Sequence, residues 1–311
     1  MKKYFLLIST LSSLSFFSYS QNSIVKEIES RISRSINSTD SSYNQFTIDD
    51  LLSNKEIDSL QYWPIYRSLN EKLRIKNKLD FDLIASFYSI SAHSNNIDLK
   101  KAIAYRQLLI INDSSFSQFN RNFSSSSMSS IDLSFYDNDL SKKQITINLD
   151  RKNADRNIIL LAGALQMQNL TPQLQKIVDS NFAGNSTNAA LALCRMGNHD
   201  ALQKYFSSIH RLSVKNIVHD NWKEIEYIKQ AESIDLLVTI LFSTETEPAL
   251  KETWPPEKLA YYGMEALDRM LKNCPIKVRG IYSNERDAKL EDMRKWVKNN
   301  RKSLVINKNI W

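Results

Sequence analysis

The stretch "LALCRMGNHDALQKYF" (191–206) sets Cys194, His199 and Asp200 close together, the residue types of a thiolate–imidazole catalytic group. Such chemistry needs the sulfur within hydrogen-bond reach of the ring, on an exposed or strained element. The neighbours of Cys194 point elsewhere. Ala190, Leu191 and Leu193 place it on the apolar face of a helix that ends near Gly197, and His199 then falls in the bend. Asp200 has a sufficient role as the cap of the following helix, worth about 1 kcal/mol. A structural bend is the expected reading.

The remaining chemistry-bearing residues do not combine into a site. His93, His199, His210 and His219 lack any i,i+4 pair, and the two cysteines lie far apart, so no metal-ligand pattern forms. No GxSxG, GxxxxGK, GxGxxG or HExxH occurs among only five glycines, which excludes phosphate-loop and nucleophile-elbow enzymes. No catalytic residue and no cofactor is assigned. The carboxylate pairs Asp49–Asp50, Asp137–Asp139 and Glu245–Glu247 each sit beside a bend or cap, where acidic residues are common. Folded into a cleft about 5–10 Å apart, two such carboxyls would suit a hydrolase acting on an envelope polymer. A disulfide between Cys194 and Cys274 is the use an exported chain suggests, but repeat units touch mainly their neighbours, which favours two buried thiols.

The charge is concentrated at one end. Residues 269–308 carry 12 Lys+Arg against 4 Asp+Glu, whereas residues 21–268 carry 27 against 30. Lys277 and Arg279 precede a basic helix with Arg294, Lys295, Lys298, Arg301 and Lys302. Arg294, Lys298 and Arg301 share a face opposite Met293, Trp296 and Val297, and these seven cations are the candidate partner-binding face. The partner class is a protein or peptide, with anionic envelope polymer or lipid headgroups as alternatives. Nucleic acid is not expected, because the excess is terminal and the chain reads as exported.

That export reading comes from residues 1–20. Lys2 and Lys3 precede the apolar run "YFLLISTLSSLSFF", and "SYSQN" offers Ser18 and Ser20 at the spacing of a signal-peptidase site. The expectation is a Sec-type signal peptide, with the mature chain in a bacterial periplasm or cell envelope and no membrane-spanning helix after cleavage. "IILLAGAL" and "LLVTILF" are too short to span and suit buried helices.

Scarce glycine and proline imply a mainly α chain with short bends. Residues 21–112 read as an N-terminal helical region. Residues 113–152 read as a serine-rich loop followed by a β-hairpin, because "IDLSFYD" (131–137) and "QITINLD" (144–150) alternate with period two. From 153 to 302 the period returns to 3.6. Thr171 can cap a helix there, with Pro172 at its first position. Met167-x-Asn169 recurs as Met196-x-Asn198, and Leu174-Gln175-Lys176 as Leu202-Gln203-Lys204, with a looser copy at "YIKQAESIDLLVTILFS". The offset is 29 residues before the bend and 28 after it, an internal repeat of helix–bend–helix units. Residues 303–311 form a C-terminal tail.

On "AALALCRMGNHDALQKYF", "YIKQAESIDLLVTILFS" and the closing "LEDMRKWVKNN", residues 153–302 resemble HEAT-type α-solenoid repeats of bacterial exported proteins. The units are nearer 30 residues than the usual 40 or so, which leaves TPR-like units or an irregular helical array open. The resemblance implies protein or peptide binding on a concave face and no catalytic residues. The fold expected is therefore mainly α, a HEAT-like array with an N-terminal helical region and one short hairpin. The function expected is an exported, non-enzymatic scaffold or binding module. Its rivals are the carboxylate hydrolase and adhesion to an anionic surface through the basic helix.

Overall fold

The computed structural model describes residues 26–28, 30–31, 34, 62–73, 80–180, 184–247, 256–278 and 285–311. The signal-peptide reading of 1–20, Asp49–Asp50 and Arg279 all fall outside these. The described chain is mainly helical, with one two-stranded antiparallel sheet. It divides into two units, 1–131 with 138–144, and 132–137 with 145–311.

The first unit holds helices α1 (Tyr62–Leu73), α2 (Asp80–His93), α3 (Ile97–Asn112) and α4 (Gln118–Ser126). Consecutive helices pack, and Ile65, Leu69, Leu83, Ile84, Leu99, Ile103 and Leu108 are buried. Each such aliphatic side chain contributes about 1.5–3 kcal/mol when removed from water. Asn96 caps α3 by accepting from the Leu99 amide at 3.0 Å.

The serine-rich stretch is helical rather than a loop. Ser117 caps α4 through the Asn120 amide, and a 3-10 turn, Ser127–Ser130, follows. The hydroxyls of Ser126 and Ser127 both donate to the Phe123 carbonyl, and that of Ser130 donates to the Ser127 carbonyl. Such bonding from a hydroxyl to a preceding turn lets serine tolerate a helix and close its end. Phe119 and Phe123 then pack on Phe81, with ring centroids 5.2 and 4.6 Å away.

The expected β-hairpin is also absent. Leu133–Phe135 is a 3-10 turn and α5 spans Asp139–Leu149. Asn138 accepts from the Ser141 amide at the start of α5. Burial follows the helical period: Ser141, Ile145, Asn148 and Leu149 are inside, while Ile147 is exposed. The sequence alternation at Ile145, Ile147 and Leu149 therefore reflects one outward isoleucine. The strands that do form, β1 (Thr246–Glu247) and β2 (Glu257–Lys258), pair Thr246 with Lys258 and Glu247 with Glu257.

In the second unit three helix pairs follow one another. They are α6 (Arg156–Ala164) with α7 (Thr171–Asp179), α8 (Asn185–Arg195) with α9 (His199–Ile209), and α10 (Trp222–Ile228) with α11 (Ala231–Leu241). A π-helical turn, Ile217–Asn221, leads into α10. Helices α12 (Ala260–Met270) and α13 (Arg286–Asn300) complete the unit. Helix α8 packs against α6, α7, α9 and α10, and α12 packs against α10, α11 and α13.

Two of the bends have the same backbone solution. At the end of α8 the Asn198 amide donates to Leu193 O and the Gly197 amide to Cys194 O, with Gly197 at φ 81°. At the end of α6 the Met167 amide donates to Ala162 O and the Gln166 amide to Gly163 O, with Gln166 at φ 55°. Both are Schellman closures, in which a left-handed residue lets the chain satisfy the last helical carbonyls. The third bend turns on Lys229, at φ 50°. Geometry thus pairs Gln166 with Gly197, two residues off the register of the Met-x-Asn match. The first bend absorbs the difference in a 3-10 turn, Gln168–Leu170.

The caps differ from expectation as well. Asn198, not Asp200, caps α9 by accepting from the Ala201 amide at 3.0 Å, and Asp200 lies in the first turn. Thr171 opens α7, and its hydroxyl donates back to Gln168 O.

Candidate functional site

The chain separates the three residues that opened the sequence argument. Cys194 is fully buried, whereas His199 and Asp200 are exposed. Burial pushes the Cys194 thiol up to about 12, the reverse of what a nucleophile needs. Cys274 is also buried and free, its thiol directed to the Met293 sulfur at 3.7 Å. Among the described residues no group of three His, Cys, Asp or Glu side chains is placed to hold a metal ion. Asp137 and Asp139 are exposed, and Glu247 pairs with His219 rather than with Glu245.

The basic residues of the C-terminal segment fall into two groups. Arg294 donates from Nε to Leu241 O at 2.8 Å and from Nη2 to Ser243 O at 3.0 Å, closing the end of α11, and it also pairs with Glu291. Arg301 pairs with Asp235 on α11, and Lys277 with Asp268 at 3.1 Å. All three are engaged with residues of the same unit, Arg294 through the main chain at the end of α11 and the other two through ion pairs. Lys295, Lys298 and Lys302 are exposed and form no ion pair with any described residue. Their spacing of three and four puts them on one side of the terminal helical turns, while Leu290, Met293 and Val297 fill the core. The start of α13 is pinned separately. Asp287 accepts from Lys258 and Tyr261, which lowers its pKa, and Arg286 bridges Glu257 and Glu265.

A second cationic feature escaped the sequence reading. Arg195 and Lys229 are both fully buried. Arg195 donates from Nη1 to Tyr227 O at 2.7 Å, and from Nη2 to Lys308 O at 2.8 Å and Ile310 O at 3.0 Å. Lys229 donates from Nζ to Ile310 O at 2.9 Å and Trp311 O at 2.8 Å. Two cations therefore converge on the Ile310 carbonyl, which sets the donor nitrogens no more than about 6 Å apart. At an effective dielectric of about 20 that repulsion is about 3 kcal/mol. Neither pairs with an Asp or Glu side chain among the described residues, and Arg195 Nε has no hydrogen-bond partner.

The electrostatic result follows. Desolvation first, then the Arg195 charge, pulls the Lys229 amine down to about 7, and Glu226 opposes this only in part. Desolvation lowers the Arg195 guanidinium as well, although it stays charged at neutral pH. The bends lock this arrangement: Gln166 and Gln230 each donate a side-chain N–H to the Arg195 carbonyl at 2.8 Å, and Gln168 donates to Met196 O at 3.0 Å. Lys229 occupies the left-handed position that glycine takes at 197, a backbone conformation that costs any residue bearing a Cβ roughly 1–2 kcal/mol.

No family model, curated protein or solved structure matches this chain.

Proposed function

We propose that this chain is an exported, non-enzymatic binding module whose contact face for an acidic protein partner is the lysine stripe Lys295, Lys298 and Lys302. The observation that carries this is the division of labour along the terminal segment. Arg294 and Arg301 are engaged within the fold, while three exposed lysines on one face have no counter-ion among the described residues. Like charges held together on a helix repel, so an acidic surface that covers them relieves a standing electrostatic cost. The consecutive helix pairs of residues 156–241 support reading this unit as a short HEAT-like array, with α13 as its closing helix.

The test is mild in-cell crosslinking and purification of the tagged chain, wild type against Lys295→Glu/Lys298→Glu/Lys302→Glu. The expected result is a stoichiometric partner with wild type that is lost from the triple variant, whose circular dichroism is unchanged. An identical set of partners from both chains overturns the assignment of the face.

A further inference from the structure

Helices α11 and α13 pack on one another, and the bonds between their outer edges fix an antiparallel register. At one end the Arg294 guanidinium donates to Leu241 O and Ser243 O and stands 6.0 Å from the centre of the Phe242 ring. At the other end Arg301 pairs with Asp235. Arg294 and Arg301 are seven residues apart, as are Phe242 and Asp235. Seven helical residues span about 10.5 Å, so the two edges match. Lys298, four residues after Arg294, therefore stands opposite Val238, four residues before Phe242. Lys298 is exposed, Val238 is partly buried on the core, and Phe242 is 45% exposed despite its large apolar ring. The backbone on both sides of Phe242 is bonded to Arg294, which holds the ring at the surface. The carboxylates at the two ends are already taken, Asp235 by Arg301 and Glu291 by Arg294. Lys298 lies between them with no ion pair to any described residue.

Resting on the lysine-face reading above, we infer that the surface from Phe242 to Lys298 is the docking groove of that face, and that it takes an amphipathic acidic segment of the partner protein. The segment sets a carboxylate on Lys298 and an apolar side chain against Phe242 and Val238. Lys298 lies about 6 Å along α13 from Arg294, one helical turn. In a helical partner the two contacting residues thus fall three or four positions apart. The aromatic anchor supplies binding by burial, and the charge steers the approach. A protein suits the groove better than an anionic bilayer does. Asp235 and Glu291, exposed at its two ends, would meet a uniformly negative surface with like charge. A peptide that sets one carboxylate between them avoids that repulsion.

The test places p-benzoylphenylalanine at position 242 of the full chain and irradiates growing cells. The probe keeps an aromatic ring at an exposed position, and circular dichroism of the purified chain checks the fold. The expected adduct joins position 242 to an apolar residue of the partner that has an Asp or Glu three or four positions away, located by mass spectrometry. Its yield falls at least about tenfold with Lys298→Glu and is retained with Lys298→Arg. A yield that Lys298→Glu leaves unchanged overturns the inference. So does a linked segment without a carboxylate at that spacing, and so do adducts formed only with phospholipid or with a second copy of the chain. The absence of any adduct overturns the groove as well. If Lys295→Glu/Lys298→Glu/Lys302→Glu then still removes a partner from the purified chain, the lysine-face reading stands without the groove. If the wild type has no partner to lose, both fall.

Discussion

Lys229 makes a prediction whose size can be worked from the structure. Its amine is held near 7, against about 10.5 when the chain is unfolded. Between those values the unfolded state binds the proton and the folded state does not, so stability rises with pH. The penalty is fully present below pH 7, is relieved progressively above it, and is gone above 10.5. Other groups bound the usable window. The Cys194 and Cys274 thiols, both raised by burial, reverse the trend once unfolded thiols ionise above about 8.5. The tyrosines Tyr88 and Tyr261, held up to about 12 by desolvation, add to that reversal above about 10. Between pH 7 and 8.5 the wild type should gain about 1.5 kcal/mol relative to Lys229→Met. Urea unfolding at half-unit pH steps, with the two chains compared at equal m-value, measures this. Comparing slopes cancels whatever the lost bonds to Ile310 and Trp311 cost. Parallel profiles would refute the claim that burial at this bend strips the Lys229 amine of its proton.

Three further outcomes follow from packing and backbone. A Cβ on Gly263 would lie 2.7 Å from Leu241 N and 2.8 Å from Leu237 O, so Gly263→Ala forces α12 off α11 and should lower stability by about 1–3 kcal/mol in urea titration. Gly197→Ala tests the backbone instead: the nearest atom is 3.7 Å away, but φ is +81°, and a loss of about 1–2 kcal/mol is expected with an unchanged circular dichroism spectrum. Ellman's reagent should find no reactive thiol in the native chain and both Cys194 and Cys274 once guanidinium unfolds it, because each is buried and raised.

The helices from Asp155 onward were legible because their apolar residues keep one period and one face. Leu174 and Leu202, matched by sequence at an offset of 28, are both buried one turn into their helices. Residues 113–150 were not legible, and the reason is specific. Serine hydroxyls bond to carbonyls of the preceding turn, as at Ser126 and Ser127, and so conceal a helix inside a loop-like composition. One exposed residue, Ile147, turned a helical pattern into an apparent alternation. The basic segment was legible as a segment but not residue by residue. Whether an arginine faces solvent or closes a helix end, as Arg294 closes α11, depends on which carbonyls the fold brings to it. Arg195 was hidden for the same reason: its acceptors lie at Tyr227, Lys308 and Ile310, far along the chain.

That last separation sets an order of events in folding. Arg195 Nη2 reaches carbonyls 113 and 115 residues away, and its own carbonyl accepts from Gln166 and Gln230 on the two flanking bends. Helical arrays with only nearest-neighbour contacts can ripen unit by unit as the chain is made. Here Nη1 of the central guanidinium finds Tyr227 O early, but Nη2 has no acceptor until residues 308–310 arrive, so the middle of this unit matures last although its helices are made early. Until then Nη2 of Arg195 and the Lys229 amine lie in a closing core without the carbonyls that later hold them.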